Sequence, residues 1–258
     1  MAEYVLDHHL DGERSRLALM SRLLDPMHRR HLEALGVHPG DRTLEVGCGN
    51  GSISAWLADR VAPGGTAVAD DIDLSLVDVR PPNLELRTDD IVAGPIDAGS
   101  FDLVTARAVL HHVADADAAL RNLVASLKPG GVILLIEPDF LPVSVAEPPE
   151  VEAFWDGWLA WSRDAGIDYH IGRRLAPRLA ALGIEDLAGT AETAVYNGGS
   201  AWATYWIDTV TELRDQLTAS GHLTAALIDG FLTRCADAAW WTETIAFTAV
   251  HGRRAPHS

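Results

Sequence analysis

Hydrophobic and polar positions change period along this chain. Up to about residue 40 apolar side chains recur at helical intervals, with Leu17, Met20, Leu23 and Leu24 on one face. Asp25-Pro26 offers an N-cap and a first-turn proline, so a second helix is expected from there to Gly36, with a turn at Pro39-Gly40-Asp41. From Thr43 short apolar runs alternate with helical stretches, the rhythm of repeated strand-helix-strand units. Strands are expected at about 43–47, 66–71, 84–88, 101–106 and 132–137, with helices between them. The best-marked helix runs from Asp115, its cap, to Leu127, and Lys128-Pro129-Gly130-Gly131 stops it. Ser75 to Pro82 is short for a helix.

Beyond Glu137 the rhythm breaks. Pro138, Pro142, Pro148 and Pro149 delay the next element to a helix over Glu150 to Ala165. A helix near 173–182 ends at Gly183, residues 185–196 alternate as a strand does, and helices are expected at 201–219 and 223–239. Thr242 to His251 is β-rich. The pattern gives an α/β, doubly wound, mostly parallel sheet, divided into an N-terminal helical segment, 1–40, and an α/β domain, 41–258.

Composition narrows the partners. With 258 residues, 48% of them hydrophobic, the chain can bury a large core, and its formal charge of -17 opposes a phosphate backbone. The basic clusters, Arg29-Arg30, Arg173-Arg174 and Arg253-Arg254, are too short to reverse that field, so nucleic acid is excluded as a substrate. The two cysteines, Cys48 and Cys235, fit a reducing cytoplasm, since one lies in a glycine loop that a disulfide would stiffen. Met1 to Leu10 is not a leader pattern and no apolar run reaches about 18 residues, so a soluble protein without a membrane partner is expected. Seven of the eight tryptophans follow residue 150, and Trp155, Trp158 and Trp161 share one broad helix face, either as packing or as a pocket wall.

The densest chemistry lies in Glu45-Val46-Gly47-Cys48-Gly49-Asn50-Gly51, between the first strand and the next helix. Gly47, Gly49 and Gly51 remove side chains where a backbone must approach a ligand. Ser52 stands where a dinucleotide fingerprint has its third glycine, and Glu45 suits an amine or sulfonium better than a pyrophosphate. At the second strand's end, Asp71, chosen over Asp70, can accept from two ribose hydroxyls, and Ile72 can cover an adenine face. After the third strand Asp90 offers an acceptor for an adenine amine and Ile91 a backbone N–H. Arg107 is placed to meet a cofactor carboxylate or to pair with Asp90.

Together with Gly99 to Val104, Ala108 to Val113 and Leu127 to Gly131, these segments resemble the class I S-adenosylmethionine-dependent methyltransferases over residues 40–140. Within that family the resemblance is to small-molecule and sugar O-methyltransferases. It implies S-adenosyl-L-methionine as cofactor, with Glu45, Gly47, Cys48, Gly49, Gly51, Asp71, Ile72, Asp90, Ile91 and Arg107 around it. It implies seven strands, the last antiparallel and formed by 242–251, with insertions at about 141–171 and 200–240 making a substrate lid.

Methyl transfer requires alignment, exclusion of water and, for oxygen nucleophiles, a base. His111-His112 follows the fourth strand and resembles the Leu-His-His motif of O-methyltransferases; Asp139, in Asp139-Phe140, is the candidate partner of the histidine. His170 and His222 stand in reserve, and no catalytic metal is expected, since Glu137 and Asp139 alone are a thin ligand set. The acidic chain and its aromatic-rich insertions point to a small, partly apolar acceptor of secondary-metabolite type, and a second copy of the chain is carried as a candidate partner. Two other readings are a cyclase or lyase that binds the cofactor without consuming it and a scaffold that only retains the fold.

Overall fold

A computed structural model describes residues 12–256. Helix α1 (Glu13–Leu35) precedes β1 (Arg42–Val46), α2 (Ser52–Val61), β2 (Thr66–Asp70), β3 (Leu84–Arg87), β4 (Phe101–Arg107), α3 (Ala116–Ser126) and β5 (Leu127–Asp139). Then come α4 (Pro149–Asp164), α5 (Leu175–Ala181), β6 (Ile184–Glu192), β7 (Val195–Asn197), α6 (Ala201–Glu212), α7 (Arg214–Ala219), α8 (Ala225–Ala236), β8 (Trp241–Glu243) and β9 (Ala246–Arg254). Seven strands form one sheet in the order β3-β2-β1-β4-β5-β9-β6, and β7 pairs with β8 separately. Strands β1 to β5 run parallel and β9 is antiparallel to both β5 and β6.

Alternation along the strands builds the two faces. Leu44, Val46, Val104, Ala106, Ile133 and Leu135 pack with Ala119, Leu120 and Leu123 of α3 and Leu175 and Leu179 of α5. Ala67, Leu103, Leu134 and Ile136 face the other way, onto Leu24 and Leu32 of α1, Ile53 and Leu57 of α2, and the aromatic side chains of α4, α6 and α8. Each fully buried Leu or Ile contributes about 1.5–3 kcal/mol through lost contact with water. In that second layer Phe154 stacks on Phe231 at 4.0 Å, and Trp155 meets Trp206 edge to face at 4.9 Å.

The sheet reverses its winding between β1 and β4, so a crevice opens beyond their carboxyl ends. Several local expectations are corrected. The expected break at Asp25-Pro26 is absent: α1 continues through Pro26, because Leu24, Met27 and Leu32 are buried on both sides of it and Asp25 is held in an ion pair instead of capping. No helix joins β2 to β3 or β3 to β4, where proline-flanked and acidic turns fill the gaps. Leu127 to Gly131 belongs to β5 rather than a turn ahead of it, with a register shift opposite Phe101–Leu103. Helix 201–219 divides at Leu213, and the strand over 185–196 divides after Glu192 so that β7 can pair with β8.

Candidate active site

Residues 45–51 leave β1 and turn directly into α2. The Gly47 and Cys48 N–H groups donate to the Asp70 carbonyl at 2.8 and 3.0 Å, which ties the loop to the end of β2. Gly47 has φ 69°, and a Cβ there would lie 2.2 Å from Val109 Cγ2, so only glycine fits. Gly49 donates to Asp71 Oδ2 at 2.8 Å, so Asp71 fastens the loop while its carboxylate stays at the crevice. Beneath the loop Glu45 is buried, accepts from the Ser54 hydroxyl, and is pushed up to about 7 by burial. Cys48 is buried too, and burial pushes its thiol up.

The crevice is a cavity of about 360 Å³, a volume suited to a small ligand. Glu45, Gly47, Cys48, Gly49, Asp71, Ile72, Asp90, Ile91 and Arg107 all line it, and Gly51 lies one residue beyond, at the start of α2. Ile72 offers an exposed apolar face there, at 63% exposure. Asp90 accepts from the Val92 N–H at 2.9 Å, capping its own turn. Asp70 also reaches the crevice; its Oδ1 accepts from the Asp89 N–H at 3.0 Å, and burial raises it to about 7. Arg107 does not pair with Asp90. Its Nη1 donates to Asp25 Oδ1 at 2.9 Å inside the protein, joining β4 to α1. Helix α1 is also fastened to the loop through Ser21, whose hydroxyl donates to Asn50 Oδ1 at 3.1 Å.

A second, smaller chamber of about 50 Å³ lies behind the first, walled by Phe140, Trp158, Trp206 and Phe247. Met20, Ala108 and His112 line both cavities and mark the passage between them. Ala108 is held at φ 56°, a left-handed conformation rare outside glycine that turns the chain sharply off β4 into the histidines. His111 is buried at 5% exposure, its Nδ1 is 2.9 Å from Glu137 Oε2, and its ring lies 3.8 Å from that of His112.

Glu137, weighed in the sequence only as a metal ligand, is the acid that meets the histidine. Its Oε1 accepts from the Val109 and Leu110 N–H groups at 2.9 and 2.8 Å, and its Oε2 accepts from His111 N–H at 3.3 Å. It is fully buried, and burial pushes it up to about 7. Burial, and next the Arg16 charge, push His111 well below the usual histidine range, so the imidazole is neutral at pH 7. Asp139, expected beside the histidine, is instead held by Arg173 through Nε and Nη2 at 2.6 and 2.5 Å, with His170 at 3.6 Å. The alternation of β5 put 137 and 139 on one side, and the β4–β5 register, Arg107 opposite Ile136, carries Glu137 to the histidine turn. His222 pairs with Asp164 far from the crevice, and no cluster of three or more potential metal ligands occurs among the described residues.

Residues 44–135 match the model of the methyltransferase domain family. Over that stretch the chain is similar to a methyltransferase domain. The chain is 38% identical over 112 residues to the ubiquinone/menaquinone biosynthesis C-methyltransferase of Xanthomonas campestris, covering 39% of this chain and 44% of that protein. It is 32% identical over 116 residues to a ubiquinone biosynthesis O-methyltransferase of Coxiella burnetii, covering 42% and 48%. The chain thus spans about half the length of these relatives or less. Geranyl diphosphate C-methyltransferase of Streptomyces coelicolor, solved with S-adenosylhomocysteine, superposes with TM-score 0.53 at 15% identity over 97% of this chain and 87% of that one. S-adenosyl-L-methionine is the cofactor that the resemblance to methyltransferases implies. The crevice fits it: a glycine cradle that a Cβ would obstruct, carboxylates at three successive strand ends and an exposed apolar cover.

Proposed function

We propose that this protein transfers a methyl group from S-adenosyl-L-methionine to an oxygen of a small, partly apolar acceptor of secondary-metabolite type, with His111 as general base. The observation that carries this reading is the His111–Glu137 contact at 2.9 Å in a chamber that meets the cofactor crevice at Met20, Ala108 and His112. The bound cofactor supplies an electrophilic methyl on a sulfonium. Asp71 holds the ribose, Ile72 covers the adenine, and Asp90 with the Ile91 N–H reads its edge. Arg107, steadied by Asp25, faces the carboxylate tail, while Glu45 lends negative charge beneath the cation.

Glu137 fixes the proton on His111 Nδ1, which leaves the Nε2 lone pair to take the acceptor's hydroxyl proton. His112 shapes the passage rather than removing the proton, and Asp139 with Arg173 positions the strand end. Helix α1 with the insertions at 141–171 and 200–240 forms the lid that keeps water out. The enzyme works in the cytoplasm, consistent with its two buried free thiols.

The test is a survey of hydroxylated aromatic acceptors with methyl-labelled cofactor. One S-adenosylhomocysteine per labelled ether is the expected result, with about 100-fold slower transfer in His111→Ala. Turnover of an acceptor with the cofactor left intact would replace this reading by a cyclase or lyase on the same fold. Label on carbon or nitrogen would overturn the oxygen assignment.

A further inference from the structure

Two indoles wall the inner chamber, and they differ at one atom. Trp206 Nε1 donates to Thr244 Oγ1 at 3.0 Å, so its polar edge is satisfied within the protein. Trp158 is 1% exposed, and its Nε1, also buried, has no hydrogen-bond partner among the described residues. An indole N–H can only donate, and a buried donor without an acceptor is destabilising and uncommon.

Packing accounts for the rest of this side chain. Trp158 is held among the rings of Phe154, Trp155, Trp161, Tyr169 and Trp206, with centroids 5.2 to 6.4 Å away. A purely apolar ring would fill such a place without burying a polar atom. An N–H that none of these neighbours meets has its opportunity in the chamber that Trp158 lines. Other polar groups there have protein partners. The Thr209 hydroxyl donates to the Tyr205 carbonyl at 2.7 Å, Arg16 donates to the Glu13 carboxylate through Nε and Nη2 at 2.7 Å each, and His111 Nδ1 meets Glu137.

The chamber, about 50 Å³, admits a group of a few heavy atoms. His111 stands in the same wall, and Tyr169 is ring neighbour to both His111, at 5.4 Å, and Trp158, at 6.4 Å. A small ring whose hydroxyl addresses His111 therefore has its other end within reach of Trp158. An oxygen with lone pairs and no proton satisfies the indole N–H there. An apolar group of the same shape leaves it unmet, and an ammonium sets donor against donor.

We propose that Trp158 is a specificity-determining residue whose Nε1–H donates to a carbonyl oxygen of the acceptor, so that the chamber selects hydroxylated compounds bearing a short carbonyl group. The inference deepens the acceptor chamber assigned above and rests on it. Transfer stays at the hydroxyl; the carbonyl decides which acceptors are held there.

The test compares 3- and 4-hydroxyacetophenone with 3- and 4-ethylphenol, which replace the acetyl group by one of similar shape without the oxygen. Each is titrated by calorimetry into protein saturated with S-adenosylhomocysteine at about pH 6, where all four phenols are neutral. In the wild type at least one ketone binds about tenfold or more tighter than its ethyl counterpart. Trp158→Phe reduces that preference to about twofold or less, and so does 3-benzothienylalanine incorporated at position 158, which keeps the ring shape and exchanges the N–H for sulfur. The Trp158 indole proton, identified in the NMR spectrum by its loss in either replacement, moves downfield with the ketone and not with the ethylphenol, a readout that a packing role alone does not give. Where Trp158→Phe fails to fold, the isosteric replacement and the wild-type comparison decide. Equal affinity for ketone and ethylphenol in the wild type, a preference undiminished by the replacements, or a stationary indole signal overturns the proposal. If neither series binds while S-adenosylhomocysteine does, the acceptor chamber falls with it; if both series bind alike, only the role of Trp158 falls.

Discussion

Glu137 shows how one side chain links backbone shape to chemistry. Its two oxygens collect three N–H groups of the turn after β4 and one contacts the His111 ring, so the same carboxyl shapes the turn and holds the imidazole. Glu137→Gln turns an amide donor toward donors and is expected to slow transfer about 100-fold with little change in acceptor KM. It also has a stability signature. Glu137 is raised from 4.5 to about 7 in the folded protein, so its stabilising contribution is full below about pH 4.5 and is lost as pH rises through 7. Glutamine cannot ionise. The melting temperature of Glu137→Gln minus that of wild type should therefore increase between pH 5 and pH 8; a flat difference would show that burial does not raise the carboxyl.

At the scale of elements, the turn β1–Gly47–α2 and helix α1 decide whether the crevice exists. Gly47→Ala would drive a methyl group against Val109, 2.2 Å away, and shift the histidine turn along with the cofactor loop. It should lower the melting temperature and abolish cofactor binding, whereas alanine at Gly99, which has no neighbour within 4 Å, should cost only the strain of its positive φ and spare binding. Equal cofactor affinity in Gly47→Ala and wild type would refute the close approach. The strands that build this region were legible because Leu44, Val46, Val104 and Ala106 alternate with a period of two and their turns carry glycine or aspartate. Helix α1 was not. Asp25-Pro26 has the local chemistry of a helix start, and only the tertiary pairing of Asp25 with Arg107 and burial around Pro26 override it.

Across the whole molecule, carboxylates gather at the ends of β1, β2 and the turn after β3, and aromatic side chains gather in the layer contributed by α4, α6 and α8. The first grouping was readable from spacing alone, since strand ends are where a doubly wound sheet presents its ligand. The second was readable only as composition. Trp155 proves to be core, whereas Trp158 and Trp206 also wall the chamber, a distinction set by how three distant helices pack. Arg16 gave no signal, because nothing in a helical period marks which charged residue will be buried. Arg107 and Asp139 lie near their expected places with different partners, Asp25 and Arg173, because the partners come from elements far away in sequence. No helix among the described residues is long and apolar enough to cross a membrane.

The proposed function seats S-adenosylmethionine in the crevice at the carboxyl edge of β1, β2 and β4, where Asp71 fastens the loop and lines the cavity. Calorimetric titration of the cofactor into wild type and Asp71→Ala tests this most directly, with a thermal melt of each variant to confirm folding. One saturable site in the wild type and at least about tenfold weaker binding in the folded variant is the predicted result, the scale of a lost charged hydrogen bond. No binding to the wild type, or equal affinity in both, would contradict it.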